Sequence, residues 1–339
     1  MKRINTVIIG MGRMGSTRYH AMQRHGGYNI LAICDEKEEL LNEYKEAGYT
    51  DWRKCIEEIA PEAVVVCTVN YEIPDIVCYA LEKEISVFSE KPPGRTLEDA
   101  LRMKTYSVRT GSLLKFGFNH RVHNSIIEAK ALIESRILGD IVCIRGVYGK
   151  AGSVDFPNEW RNNPDMSGGG ILLDQGIHML DLMCYLTDSE PEVVHGEVDN
   201  LVWKEMDTED SAIAILKTPK DQIMTLHSTA VQWKHKFDMD ILCTKGYIAL
   251  NGLLTSTRSY GEERITYYKK DLETKTGRLG KPKEYNMCFD IDESWDIEMN
   301  EFYDAIVNGS RIMNGTPEDA VRVMRIVEEI YKEGKKKRA

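Results

Sequence analysis

Thr6-Val7-Ile8-Ile9-Gly10-Met11-Gly12-Arg13-Met14-Gly15, near the start of the 339-residue chain, is the stretch whose reading decides the fold. Its β-branched run Val7-Ile8-Ile9 predicts a short, fully buried strand, and Gly10, Gly12 and Gly15 stand in G-x-G-x-x-G spacing at a strand-to-helix turn. Each glycine has a mechanical reading. Gly10 permits the tight turn, Gly12 leaves room for a diphosphate to approach the backbone, and Gly15 lets the next helix pack close on its strand. The helix start then offers unpaired N–H groups and its positive dipole end to an anion. Alone, the spacing is weak, because glycines punctuate many turns that bind nothing. A second apolar run, Ile30-Leu31-Ala32-Ile33-Cys34, ends in Asp35 about twenty residues after the last glycine, where a dinucleotide-binding fold places its ribose-binding acid. Reading Asp35 as a plain turn residue leaves the order strand, turn, helix, strand, acid unexplained.

Composition narrows the class. With 42% hydrophobic and 8% aromatic residues the chain reads as globular, and its length suits two domains. A formal net charge of -10 argues against a general nucleic-acid or anionic-membrane binder, which draws on excess Lys and Arg. The basic tail Lys335-Lys336-Lys337-Arg338 reads as cations complementing a helix C-terminus. Eight cysteines without C-x-x-C spacing predict reduced core residues. The first residues lead straight into a strand and no apolar run is long enough to span a bilayer, so the expectation is a cytoplasmic protein with no membrane partner.

Along the chain, the pattern predicts helices over 14–25, 36–47, 52–59, 74–83 and 96–107, alternating with strands over 63–67, 86–89 and 113–118. Such alternation implies parallel pairing with right-handed crossovers. The strand over 86–89 runs into Glu90-Lys91-Pro92-Pro93-Gly94, where two prolines stop any regular element and hold a lysine at the carboxyl end of a parallel strand, the usual place for ligands in open α/β sheets. At Asn119-His120-Arg121 the alternation changes. The expected fold class is therefore α/β, with a Rossmann dinucleotide-binding domain over 1–120 and an α+β domain over 121–339. In the latter, strands over 141–148, 192–201, 211–217, 223–230, 237–243 and 247–251 follow one another as a mostly antiparallel sheet, with helices over 125–138 and 171–186 on one face. Helices over 294–307 and 317–332 close the chain.

The second motif is Ser167-Gly168-Gly169-Gly170-Ile171-Leu172-Leu173-Asp174-Gln175-Gly176-Ile177-His178, in which Asp174 and His178 are i and i+4 and share one face of a helix. An ordinary helical contact has the same spacing. Taken in order, Gly10 to Gly15, Glu90-Lys91-Pro92, and the glycine run followed by Asp174 and His178 resemble the Gfo/Idh/MocA family, named for glucose–fructose oxidoreductase, inositol dehydrogenase and a rhizopine-catabolism protein. The resemblance covers nearly the whole chain, including Thr244-Lys245-Gly246 and Pro317-Glu318-Asp319-Ala320. It implies a Rossmann domain followed by a large open antiparallel sheet whose exposed face forms homodimers or homotetramers.

The resemblance also implies roles. NAD, rather than NADP, would be held by Gly10, Gly12, Arg13, Met14, Gly15 and Asp35, with further contacts from Thr68, Asn70, Glu90 and Lys91. Lys91 would touch both the substrate hydroxyl and the nicotinamide ribose, its bond to Pro92 often being cis in relatives. His178 matches the general acid/base; Asp174 matches a carboxylate that either orients the imidazole or grips a hydroxyl. Arg121, Trp160 and Arg161 lie where relatives grip sugars, core packing being the other reading of Trp160. One departure is plain: relatives often carry Thr-Pro-Asn and then a histidine after the third strand, where this chain has Thr68-Val69-Asn70 and then Ile73.

The chemistry is coherent. An alcohol would lose its proton to His178 while hydride leaves the same carbon, and Lys91 would stabilise the developing alkoxide. His20, His25, His195, His227 and His235 read as structural, and His120 and His123 lack partners in register for a metal site. The expected function is an NAD-dependent oxidoreductase acting on a secondary hydroxyl or ketone of a sugar, a sugar derivative such as a nucleotide sugar, or a cyclic polyol. The rivals are a glycosidase that retains NAD and oxidises transiently, and a non-catalytic NAD sensor. A sensor needs neither Lys91, Asp174 nor His178.

Overall fold

β1 (Ile4–Ile9) is buried over nearly its whole length, and the chain leaves it through Gly10 at a φ of +89°, a conformation that glycine adopts without strain. α1 (Arg13–His25) follows and ends on Gly26 in the left-handed region. Then come β2 (Tyr28–Cys34), β3 (Ala47–Tyr49), α2 (Trp52–Ile59), β4 (Ala63–Val66), α3 (Ile73–Glu82), β5 (Ser86–Ser89), α4 (Leu97–Thr110) and β6 (Leu114–Phe116). Asp51 caps α2 by accepting from the Arg53 and Lys54 amides, and Thr96 with Asp99 forms a capping box on α4. The six strands are parallel in the order β3-β2-β1-β4-β5-β6. The order reverses between β1 and β4, the switch point beside which doubly wound sheets bind nucleotides.

The rest of the chain supplies α5 (Asn124–Glu134), β7 (Ile141–Gly149), the short α6 (Pro164–Ser167), α7 (Ile177–Thr187), β8 (Glu192–Asp199), β9 (Ser211–Lys217), β10 (Ile223–Thr229), β11 (Lys236–Cys243), β12 (Gly246–Asn251), β13 (Glu263–Lys269), β14 (Tyr285–Phe289), α8 (Ser294–Asn308) and α9 (Pro317–Lys336). The eight strands run in the order β14-β13-β12-β11-β7-β10-β9-β8. Only β7 and β10 pair in parallel. α5 packs over β12 to β14, and α7 over β7 and β10. Ile144, Leu226, Met239 and Ile248 are buried on the helix-covered face. The alternate residues of β9, Ile213 and Ile215, are 49% and 39% exposed on the other.

This computed structural model describes residues 2–153, 155–255, 257–270 and 283–336, so Lys337 and Arg338 of the basic tail lie outside the described residues. It contains two compact units: the first is Met1–Asn119 with Asn163–Gly168 and Ser294–Arg325, and the second is His120–Asn162 with Gly169–Glu293 and Ile326–Ala339. α8 belongs to the first because Met299, Phe302 and Tyr303 complete a core with Ile4, Ile8, Tyr28, Ile33 and Phe88. Among the described residues, no helix is long and apolar enough to cross a membrane.

The structure departs from the sequence pattern in four places. The helix expected over 36–47 is a 3₁₀ turn, Glu38–Leu40, followed by β3. Only Leu40, Leu41 and Tyr44 of that stretch reach the core, its charges are mostly acidic and repel, and Ala47–Tyr49 pairs with Ala32–Cys34 in an extended ladder. The helix expected over 171–186 opens with a π-helical turn, Leu172–Gly176, so the i,i+4 geometry of a regular α-helix does not apply between Asp174 and His178. β13 and β14 extend the sheet beyond the expected strands. All eight cysteines are free thiols, but Cys288 is exposed and Cys67, Cys143 and Cys243 are half-buried, so they are not uniformly core residues.

At the centre of the first unit lies Arg18 of α1, with no exposed side-chain surface. Its Nε donates to Glu90 Oε1 at 2.7 Å and its Nη2 to Glu298 Oε2 at 2.6 Å, while the guanidinium lies over the rings of Phe88 and Trp295. Arg18→Met removes the shared cation and leaves two buried carboxylates together, which should cost about 3–5 kcal/mol. Urea unfolding of wild type and variant measures this, and a difference under about 1 kcal/mol would show that the pair is not structurally important.

Candidate active site

In the first unit the glycine turn has the shape its spacing implies. A Cβ on Gly10 would stand 2.6 Å from the Cys67 carbonyl, and one on Gly15 would stand 1.9 Å from the Gly10 oxygen, so α1 sits directly against the turn. At Gly12 the same position meets nothing within 4 Å. Gly12 also caps α1 with no side-chain hydrogen bond of its own. Asp35 closes the turn from the end of β2: its Oδ2 accepts from the Met11 amide at 2.7 Å and its Oδ1 from the Lys37 amide at 3.0 Å. Each oxygen retains acceptor capacity. Arg13 is exposed and Met14 half-buried at the helix start.

Two more acids gather there. The Glu72 carboxyl is pushed up, first by burial and then by the negative charges of Glu36 and Asp35. Thr68 and Asn70 lie in the loop after β4, where the Asn70 amide donates to the Ser167 carbonyl at 2.8 Å and Tyr71 N to Met166 O at 3.1 Å. That part of the loop holds the segment around α6. Glu90 is buried and faces Arg18, whereas its neighbour Lys91 is half-buried, with a cis bond to Pro92.

In the second unit the glycine run serves a different purpose. A Cβ on Gly169 would stand 2.2 Å from the Tyr331 hydroxyl and one on Gly170 would stand 2.1 Å from the Glu209 carbonyl. The half-buried Glu209 carboxylate accepts from the Gly170 amide at 3.0 Å, the Leu172 amide at 2.9 Å and Tyr331 Oη at 2.9 Å. It satisfies the N-terminal donors of the turn that carries Asp174 and opposes the positive end of that helix.

Asp174 is held by cations. Lys150, just past β7, reaches its Oδ2 at 3.0 Å, Arg161 Nε lies 3.4 Å from its Oδ1, and Gln175 Nε2 donates to Oδ2 at 3.1 Å. Arg161 also lies over the Trp160 ring, its carbon 4.5 Å from the centroid. His178 opens α7 and is 4% exposed. Arg121, by contrast, is buried and its Nε donates to Asp181 at 2.8 Å in a bidentate pair, so its charge is neutralised inside the fold. Lys150, Glu209 and the histidine and tyrosine side chains around His178 were not singled out as site residues by the sequence. Their only local signal is that Lys150 stands at a strand end.

Two family models match. One, described as the oxidoreductase family with an NAD-binding Rossmann fold, matches residues 4–118, and the other, the GFO/IDH/MocA C-terminal domain, matches residues 126–249. The chain belongs to the Gfo/Idh/MocA oxidoreductase family.

Among the curated relatives of this Gfo/Idh/MocA member, the myo-inositol 2-dehydrogenase of Thermotoga maritima is 27% identical over 223 residues, 62% of this chain and 64% of the relative. The D-glucoside 3-dehydrogenase of Escherichia coli K12 is 27% identical over 190 residues, 54% of each chain. The match thus spans between about half and two thirds of these relatives' length. A levoglucosan dehydrogenase solved in complex with NADH shares the fold at a TM-score of 0.86, with 20% identity and coverage of 99% of this chain and 98% of that one.

As a Gfo/Idh/MocA protein the chain has a Rossmann unit fitted to NAD: an open approach at Gly12, a helix start behind it, and Asp35 fixed at the end of β2. The crowding of Asp35, Glu36 and Glu72 opposes a ribose 2′-phosphate. Fluorescence titration should therefore give a Kd for NADH at least about tenfold below that for NADPH. In Asp35→Ala the gap should narrow; equal affinities in the wild type would overturn this reading.

Proposed function

We propose that this chain is an NAD-dependent dehydrogenase acting on a secondary hydroxyl of a sugar, a sugar derivative (nucleotide sugars included) or a cyclic polyol, or on the corresponding ketone in reverse. The observation that carries the reading is in the second unit: His178 is buried at the opening of α7, and in the preceding turn Asp174 is paired with Lys150 and Arg161. A protein that only sensed NAD would need neither group. When bound, NAD supplies the hydride acceptor.

This chain's residues handle the proton and the charge. His178 takes the hydroxyl proton as the general base. Lys91, a compact cation past the end of β5, offsets the negative charge that grows on the oxygen. Asp174, oriented by two cations, accepts from a neighbouring hydroxyl and fixes the ring. The family relatives named above act on inositol and on D-glucosides according to their names, which supports the same substrate class here.

A panel of inositols, free sugars, glucosides, sugar phosphates and nucleotide sugars, followed as NADH formation, tests the reading. Product without net NADH would favour the redox-neutral glycosidase instead. On a confirmed substrate, His178→Ala should lower turnover by roughly 10²–10⁴, about 3–5 kcal/mol of barrier, with NADH affinity changed less than a few-fold. Lys91→Met, which keeps much of the stem's volume, should behave likewise. Near-normal turnover in the folded His178 variant would sink the mechanism.

We also propose that the chain is a homodimer or homotetramer built through the open face of the eight-stranded sheet. Ile213 and Ile215 are exposed there, with Arg145 and Asp240 paired alongside at 3.0 Å. Light scattering at micromolar concentration should give at least twice the chain mass, and Ile213→Lys combined with Ile215→Lys should reduce it. A monomer mass for the wild type would refute the assembly.

A further inference from the structure

His120 and His123 carry no role in the reading above, and His120 occupies a telling position. It lies on the 3₁₀ turn Asn119–Val122 and is 6% exposed. Its imidazole is stacked on that of His178, with ring centroids 3.7 Å apart and planes inclined by 15°.

His120 is itself held from several sides. Its Nε2 and the Tyr148 hydroxyl are hydrogen-bonded at 2.9 Å, and the rings of His123 and Phe237 stand edge-on at 5.6 Å and 6.1 Å. His123 is anchored in turn by Glu263 Oε2, 2.8 Å from its Nδ1. The Tyr148 hydroxyl is bonded to Tyr260, whose ring packs between those of Tyr148 and His235. Burial pushes the Tyr148 hydroxyl far above the ordinary tyrosine range, so it remains a neutral O–H.

We propose that His120 is a positioning residue that sets the plane of the His178 ring. The proposal rests on the reading of His178 as the acid/base. An imidazole exchanges protons along directions in its own plane, so rotation about the Cβ–Cγ bond swings its nitrogens away from a fixed hydroxyl. A flat partner in face contact blocks that rotation while leaving the ring edges, where both nitrogens lie, uncovered. The Tyr148 bond and the edge contacts keep His120 from turning with it. A side chain of equal bulk but without a flat face would fill the space and not fix the plane.

The test uses the full chain with carbon-13-labelled histidine. In the wild type the His178 Cε1–H resonance, assigned by its loss in His178→Gln, should be shifted upfield by the ring current of His120. The shift should vanish in His120→Leu and His120→Ala and persist in His120→Phe. Kinetics should follow the same division, read as NADH formation from myo-inositol or methyl glucoside, whichever the wild type oxidises faster. Turnover should fall about tenfold to a hundredfold in the leucine and alanine variants and stay within about fivefold of wild type in His120→Phe, with substrate KM and NADH Kd changed less than about threefold throughout. Full turnover in His120→Leu, or loss in His120→Phe equal to that in His120→Leu, overturns the proposal. His178→Ala, measured alongside, separates the two failures: if it retains turnover, the acid/base reading falls and takes this proposal with it, whereas if it is inactive while His120→Leu is normal, only the positioning role is wrong.

Discussion

A guanidinium with no access to water, that of Arg18, ties together the parts of the first unit that matter. The arginine, on α1, draws its two carboxylates from distant places in the chain: Glu90, just past β5, and Glu298 in α8. Because α1 begins at the glycine turn and Glu90 immediately precedes Lys91, one buried charge cluster sets the start of α1 and the backbone of the lysine in a common frame. The strength of the arrangement lies in its low dielectric. Neither carboxylate can relax into water if the cation is displaced, so the geometry has few alternatives. Lys115, also fully buried and paired with Glu301, adds a second tie between the sheet and α8.

The second unit solves the corresponding problem without a strand end. Its site residues sit on a π-helical turn and the first turn of α7, an arrangement with unsatisfied donors at its start. Glu209 fills that role from outside, and Tyr331 of α9 backs it. Three glycines precede Asp174 largely because the Glu209 backbone and the Tyr331 hydroxyl come too close for a side chain. In the structure the run is a surface for packing against a capping carboxylate.

Much of this was legible in the sequence, for identifiable reasons. The parallel strands are buried on both faces and appear as unbroken β-branched runs such as Ala63-Val64-Val65-Val66, which need no tertiary context to recognise. The glycine turn, Asp35, Lys91, Asp174 and His178 sit in short motifs whose spacing is local. What was not legible depends on contacts distant in the chain. The acidic stretch after Asp35 has helical composition, yet three ladder pairs with β2 decide its end. β14, with the sequence Tyr285-Asn286-Met287-Cys288-Phe289, is a partly exposed edge strand with only weak alternation. Lys150 and Tyr148 at the end of β7, Tyr260 in a loop and His120 in a 3₁₀ turn converge around Asp174 and His178 only once the sheet has formed.

The place of α8 in the first unit bears on how the protein emerges from the ribosome. The parallel sheet is synthesised by residue 116, but the helix that supplies Met299, Phe302 and Tyr303 to its core, and Glu298 to Arg18, begins at residue 294. While residues 117–293 are being made, that core therefore lacks the α8 side chains and Arg18 has only one of its two carboxylates. The core of the first unit is thus closed by a segment made after every strand of the second, and its glycine turn reaches its final frame only then.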